Sequence, residues 1–154
     1  MSQSIRIAVH MQPIAENGEP CFKATLPMGA FFEPSLDKEE VERARSELEE
    51  KYRRLVENLR AMRATLKEGN VLRNWMFGDT IVSFERETSQ TLLFVDKLSD
   101  ALARDIDYSK TMIDLCRRFR LKIPDMTKID PRLSFSTYHR NGFDPKRAAA
   151  SKRK

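Results

Sequence analysis

Between residues 4 and 12 the chain alternates Ile5, Ile7, Val9 and Met11 with polar neighbours, a period of two that predicts a short β-strand. Asn17-Gly18 is a hairpin-turn signal, and Cys21 to Leu26 is the expected return strand, with Pro13, Pro20 and Pro27 bracketing the pair. Such a hairpin is marginal alone and must pack on the helices, pair with another copy, or stay loose. Residues 29–34 read as a linker carrying Phe31-Phe32. The period then changes. Val41, Ala44, Leu48, Tyr52, Leu55, Leu59, Met62 and Leu66 recur in steps of three and four, predicting a helix from about Lys38 to about Lys67. Asp37 with Glu40 forms a capping box at its start, and Gly69-Asn70 supplies its end. At 1.5 Å per residue this helix spans ~45 Å. Either it pairs with a second copy as a coiled-coil homodimer, or the remaining chain packs along it.

Leu72, Trp75, Met76, Ile81, Val82 and Phe84 predict a second helix over 71–87. Gly78 interrupts it, a cost of about 1 kcal/mol relative to Ala that a close helix crossing or a bend would explain. Thr88 or Ser89 is then expected to cap a helix from Gln90 to Ala103. Leu98 to Phe119 reads as two short helices around a turn at Asp107, a residue type that tolerates the left-handed region. Ser109 stands where an N-cap belongs. The second helix places Met112, Ile113, Cys116 and Phe119 on one side, with Lys110, Thr111, Asp114, Arg117 and Arg118 on the other. Residues 121–130 read as a loop, Arg132 to Arg140 as a last short helix after Pro131, and 141–154 as a disordered basic tail.

The expected fold is mainly α. It is a helical bundle with one long helix over 35–69, a small hairpin and linker over 1–34, a helical domain over 70–140 with its two-helix unit at 98–119, and the tail.

Leu102-Ala103, Ile106, Ser109, Ile113 and Cys116 are spaced as in the phage-repressor type of helix-turn-helix, which this stretch resembles; Asp107 departs from the Gly that family prefers. A second pattern runs over residues 72–139. It comprises Trp75 with Gly78-Asp79, Phe84-Glu85-Arg86, Leu98-Ser99, Tyr108-Ser109, Arg117-Arg118-Phe119, and Leu133 to His139. This is similar to helical domains of prokaryotic and phage-type DNA-binding proteins, and to the helical domain preceding the nuclease module in one group of PD-(D/E)xK proteins. No nuclease module follows here, so the resemblance implies a DNA-associated accessory fold without an activity. An ordinary helical hairpin in a bundle core is the plainer alternative.

Charge sharpens the expectation. The 154 residues carry a net +5, but from Lys97 onward fifteen Lys and Arg face seven Asp and Glu, while the first 96 residues are net −3. A basic half suggests a polyanion partner. Ser109, Lys110, Thr111, Asp114 and Arg118 are the expected major-groove contacts, with Arg104, Arg117, Arg120, Lys122 and the tail lysines on phosphate. The function expected is sequence-specific binding of double-stranded DNA by a homodimer, as a small regulator or a plasmid- or phage-type partition or accessory factor. The alternative is a non-enzymatic adaptor that docks a protein partner on the long helix. RNA binding lacks the aromatic residues interleaved on strands that base stacking uses.

Other chemistry is sparse. Two histidines, His10 and His139, stand in unrelated regions. No Cys/His spacing fits zinc, no Gly-rich loop fits a phosphate, and no nucleophile elbow is present. Glu49-Glu50-Lys51 has the acid-x-lysine spacing of some nucleases but no matching acid on a strand. No enzyme activity, metal or cofactor is therefore expected. Two cysteines make no disulfide framework, and no apolar run reaches the ~18 residues of a membrane span. With no signal-peptide core at its N-terminus, the chain is expected in a reducing cytoplasm.

Overall fold

The computed structural model describes residues 6–16, 19–27, 36–66 and 70–152. Ile5, the Asn17-Gly18 turn, the 29–34 linker and Gly69 lie outside them. Among the described residues the chain is mainly helical with a small mixed sheet: β1 (Ile7–Glu16), β2 (Glu19–Thr25), α1 (Lys38–Leu66), α2 (Val71–Glu87), β3 (Leu93–Val95), α3 (Leu98–Asp105), α4 (Lys110–Lys122), α5 (Phe135–Arg140) and α6 (Pro145–Lys152).

The sheet order is β2-β1-β3. The expected hairpin forms, with Met11 opposite Ala24 and Pro13 opposite Phe22. It is joined by a strand that the hydrophobic pattern did not reveal. β3 runs parallel to β1, pairing Ile7 with Leu93 and Val9 with Val95. The helix expected from Gln90 therefore starts only at Leu98, after Lys97 in a left-handed conformation (φ 49°). Thr88 caps no following helix. It closes α2 instead, its backbone N–H and its hydroxyl both donating to Phe84 O.

Pro13 lies inside β1 rather than beyond its end. The Ile7 N–H donates to Leu92 O, while Val9 O and Met11 O accept from Asp96 and Arg104, so odd residues of β1 direct their backbone groups toward the β3 side. At Pro13 that side lies past the end of β3, and the missing N–H breaks no ladder bond. The other edge is closed by side chains. Glu49 Oε1 accepts from Ala24 N–H at 3.0 Å, and Arg45 Nε donates to Ala24 O at 3.0 Å.

Leu48, Tyr52, Leu55, Val56 and Leu59 of α1 bury against Ile7, Val9, Met11, Phe22 and Ala24 of the sheet, and against Phe77, Ile81 and Phe84 of α2. The three-four seam thus faces the chain's own core. Val41, Ala44, Met62 and Leu66, its remaining members, pack on the same cluster. The surface on which a coiled-coil homodimer or docked helix was expected is the surface the sheet and α2 occupy.

Gly78 of α2 marks a close crossing. A Cβ there would stand 2.0 Å from the Cys116 carbonyl oxygen of α4. Cys116 is wholly buried, and burial pushes its thiol up to about 11. We expect a thiol reagent to label the half-buried Cys21 of the native protein readily and Cys116 only on unfolding, read by mass spectrometry of the labelled peptides.

A second apolar cluster joins Val71 and Trp75 of α2 and Phe119 of α4 to Ile123, Ile129, Leu133, Tyr138, Phe143 and Ala148. Trp75 Nε1 donates to Ile123 O at 2.7 Å, and Tyr138 Oη accepts from Asp130 N–H at 2.7 Å. This corrects the expectation of a disordered tail. Phe143 is buried in a left-handed turn after Gly142 (φ 59° and 65°). Asp144 caps α6, accepting from Lys146 N–H at 2.9 Å, with Pro145 as its first residue. The last expected helix is shorter than predicted: Ser134, not Pro131, caps α5.

Candidate nucleic-acid interface

The two-helix unit is α3 and α4. Asp107 takes the left-handed turn conformation (φ 52°), and Ser109 caps α4 by accepting from Met112 N–H at 3.3 Å. Ile113, Cys116, Phe119 and Arg120 form the buried side of α4. Lys110, Thr111, Arg118, Leu121 and Lys122 are exposed. At ~100° per residue these five fall within roughly one third of the helix circumference, with Asp114 between them. The expected polar face is therefore open to solvent.

Its electrostatics differ from the expectation. Glu85, Lys97, Asp100, Lys110, Asp114 and Arg117 line a cleft of about 330 Å³ between the end of α2, the start of α3 and the first turns of α4. Within it Lys110 Nζ stands 3.5 Å from Asp100 Oδ1. Ser99 Oγ donates to Asp114 Oδ1 at 2.6 Å. Arg117 forms a two-point pair with Glu85, Nη2 to Oε2 being 2.9 Å, and that hydrogen bond drives its guanidinium further above its ordinary value.

Two residues expected on phosphate are held by contacts within the protein. Arg120 is 8% exposed, donates from Nε to Asp79 Oδ1 at 2.7 Å and lies 5.3 Å from the Trp75 ring, so it belongs to the α2–α4 interface rather than to a surface. Arg104 is half exposed, but its guanidinium pairs with Asp105 (Nε to Oδ1 2.7 Å) and donates to Met11 O. Asp105 in turn accepts from the Tyr52 hydroxyl, which burial and the Asp105 hydrogen bond hold far above the usual phenol range. This network ties α3 to α1 and β1.

Arg118 and Lys122 are different. Both are exposed, and neither makes an ion pair among the described residues. They adjoin a part of the chain that sequence reasoning reads as a loop, a last short helix to Arg140 and a loose tail from Asn141. From Arg117 to Lys152 there are ten Lys and Arg against three Asp. Each of those three acids is engaged locally: Asp125 accepts from Thr127, Asp130 pairs with Arg132 and Asp144 caps α6. Lys128, Arg140, Lys146 and Arg147 are exposed on this module. Its position against α4 is fixed by Phe119, whose ring lies 5.3 Å from both Tyr138 and Phe143. His139 stacks on Phe143 at 5.7 Å and belongs to the same packing.

Among the described residues no group of three or more His, Cys, Asp or Glu is placed to hold a metal ion, and no helix is long and apolar enough to cross a membrane. Comparison with family models, with curated proteins and with solved structures finds no match for the chain.

Proposed function

We propose that this protein binds double-stranded DNA, with the exposed side of α4 against the duplex. The observation that supports the reading is the solvent-open arc of α4. A capped, rigidly backed helix presents Lys110, Thr111, Arg118 and Lys122 outward, next to a turn held by Asp107. A helix backed on one side and polar on the other is what a duplex groove admits. The net positive charge of this half supplies the long-range attraction.

The test is a mobility-shift titration of the full chain on mixed genomic fragments at about 50 mM salt, beside Arg118→Glu. We expect a shift for the native chain and an affinity loss of about tenfold for the variant, because one phosphate contact becomes a repulsion. Failure of the native chain to retard any duplex would sink the reading.

A further inference from the structure

Resting on that reading, we infer that the duplex is held through its phosphate backbone, whatever its sequence, by the second half of α4 together with the C-terminal module. The first turns of α4 do not read base edges.

Two observations carry this. Base readout needs free donors and acceptors at the groove-facing end of the helix. Here three of the charged groups are engaged within the chain: Lys110 lies 3.5 Å from Asp100, Asp114 accepts from Ser99, and Arg117 is bound at two points by Glu85. The cleft beside them is lined by three carboxylates and three cations, Lys97, Lys110 and Arg117, so it offers a phosphate no net attraction. The second observation is where the uncompensated charge lies. Arg118 and Lys122 on α4, with Arg140, Lys146 and Arg147 beyond it, are exposed, while the acids of that stretch serve as caps or pair with Arg132. Phosphate contacts of this kind position a protein on DNA without reading it.

The experiment is fluorescence anisotropy of the full chain with two unrelated 20-base-pair duplexes at several salt concentrations between about 50 and 200 mM, the range over which counterion release is legible. Three double variants accompany it, all at exposed positions: Arg118→Ala with Lys122→Ala, Lys146→Ala with Arg147→Ala, and Lys110→Ala with Thr111→Ala. Native protein is expected to bind both duplexes within about twofold. The first two variants should weaken both equally, each making the log-log salt slope shallower by about 1.8, or about 0.9 per lost contact. The third removes one cation and should make the slope shallower by no more than about 0.9, leaving the ratio of the two duplex affinities unchanged. A strong preference for one duplex that vanishes with Lys110→Ala and Thr111→Ala would overturn the inference while leaving DNA binding intact. So would binding that the first two variants leave unchanged. Absence of binding to either duplex at the lowest salt would overturn the underlying reading as well.

Discussion

Gly78→Ala is expected to cost about 3 kcal/mol and to lower the melting temperature by roughly 6–12 °C. Two effects oppose each other. Alanine is the better helix former by about 1 kcal/mol, which alone would stabilise α2. Against it stands the Cys116 carbonyl, 2.0 Å from where the new Cβ would sit, with Cys116 C at 2.6 Å and Arg117 N at 3.2 Å. All three are backbone atoms of α4, so no rotamer change relieves the overlap and the two helices must move apart. That separation loosens Phe77 and Ile81 against Ile113 and Cys116, which share one cluster. Differential scanning calorimetry measures the shift. An unchanged or raised melting temperature would show that the crossing is not as tight as described.

Removing the buried carboxylate at Asp105 is the second large perturbation. Asp105→Ala is expected to lose about 3 kcal/mol, because it leaves the buried Tyr52 hydroxyl unpaired and frees the Arg104 guanidinium. Arg104 is half exposed and recovers water, so the larger share comes from Tyr52. Tyr52→Phe keeps the Asp105–Arg104 pair and should cost less, about 1 kcal/mol. The pH dependence follows from the direction of the Tyr52 shift. A phenol whose folded-state pKa is raised contributes stability that is whole below its unfolded value near 10 and declines as pH climbs beyond it. Urea melts of native protein should therefore show a fall above about pH 10 that Tyr52→Phe reduces. Equal costs for the two variants, or an alkaline limb identical with and without the Tyr52 hydroxyl, would contradict this account.

Features written in local order were legible in the chain. α2 spans the residues its apolar spacing predicted, although its caps, Asn70 and Thr88, read in sequence as the end of the helix before it and the start of the helix after it. Asp37 caps α1, Ser109 caps α4 and Asp107 takes the turn, all contacts between residues two to four apart or conformations of a single residue. What was missed depends on distance. β3 is three residues long and acquires its identity from β1, so nothing in Leu93-Phe94-Val95 alone separates it from a helix face. The charge compensation across α4 comes from Glu85 and Asp79, 32 and 41 residues away from their arginines and on another helix, so helical spacing gives no sign of it.

Two local signals were present and overlooked. Asp144-Pro145 is an N-cap followed by a first-turn proline, which announces α6 despite its basic composition. Asp105 sits in the last turn of α3, where the helix dipole disfavours an acid, and that anomaly points to a partner elsewhere in the fold.

The strand order has a consequence for how the molecule assembles. The first strand completes its hydrogen bonding on a partner that lies beyond both α1 and α2 in the chain. A hairpin emerging early during synthesis would leave the backbone groups of Ile7 and Val9 that face β3 unpaired until that late partner arrives. Closing so long a loop is entropically slow, and α1 and α2, which are rich in local contacts, have time to form and collapse onto each other before the sheet is finished.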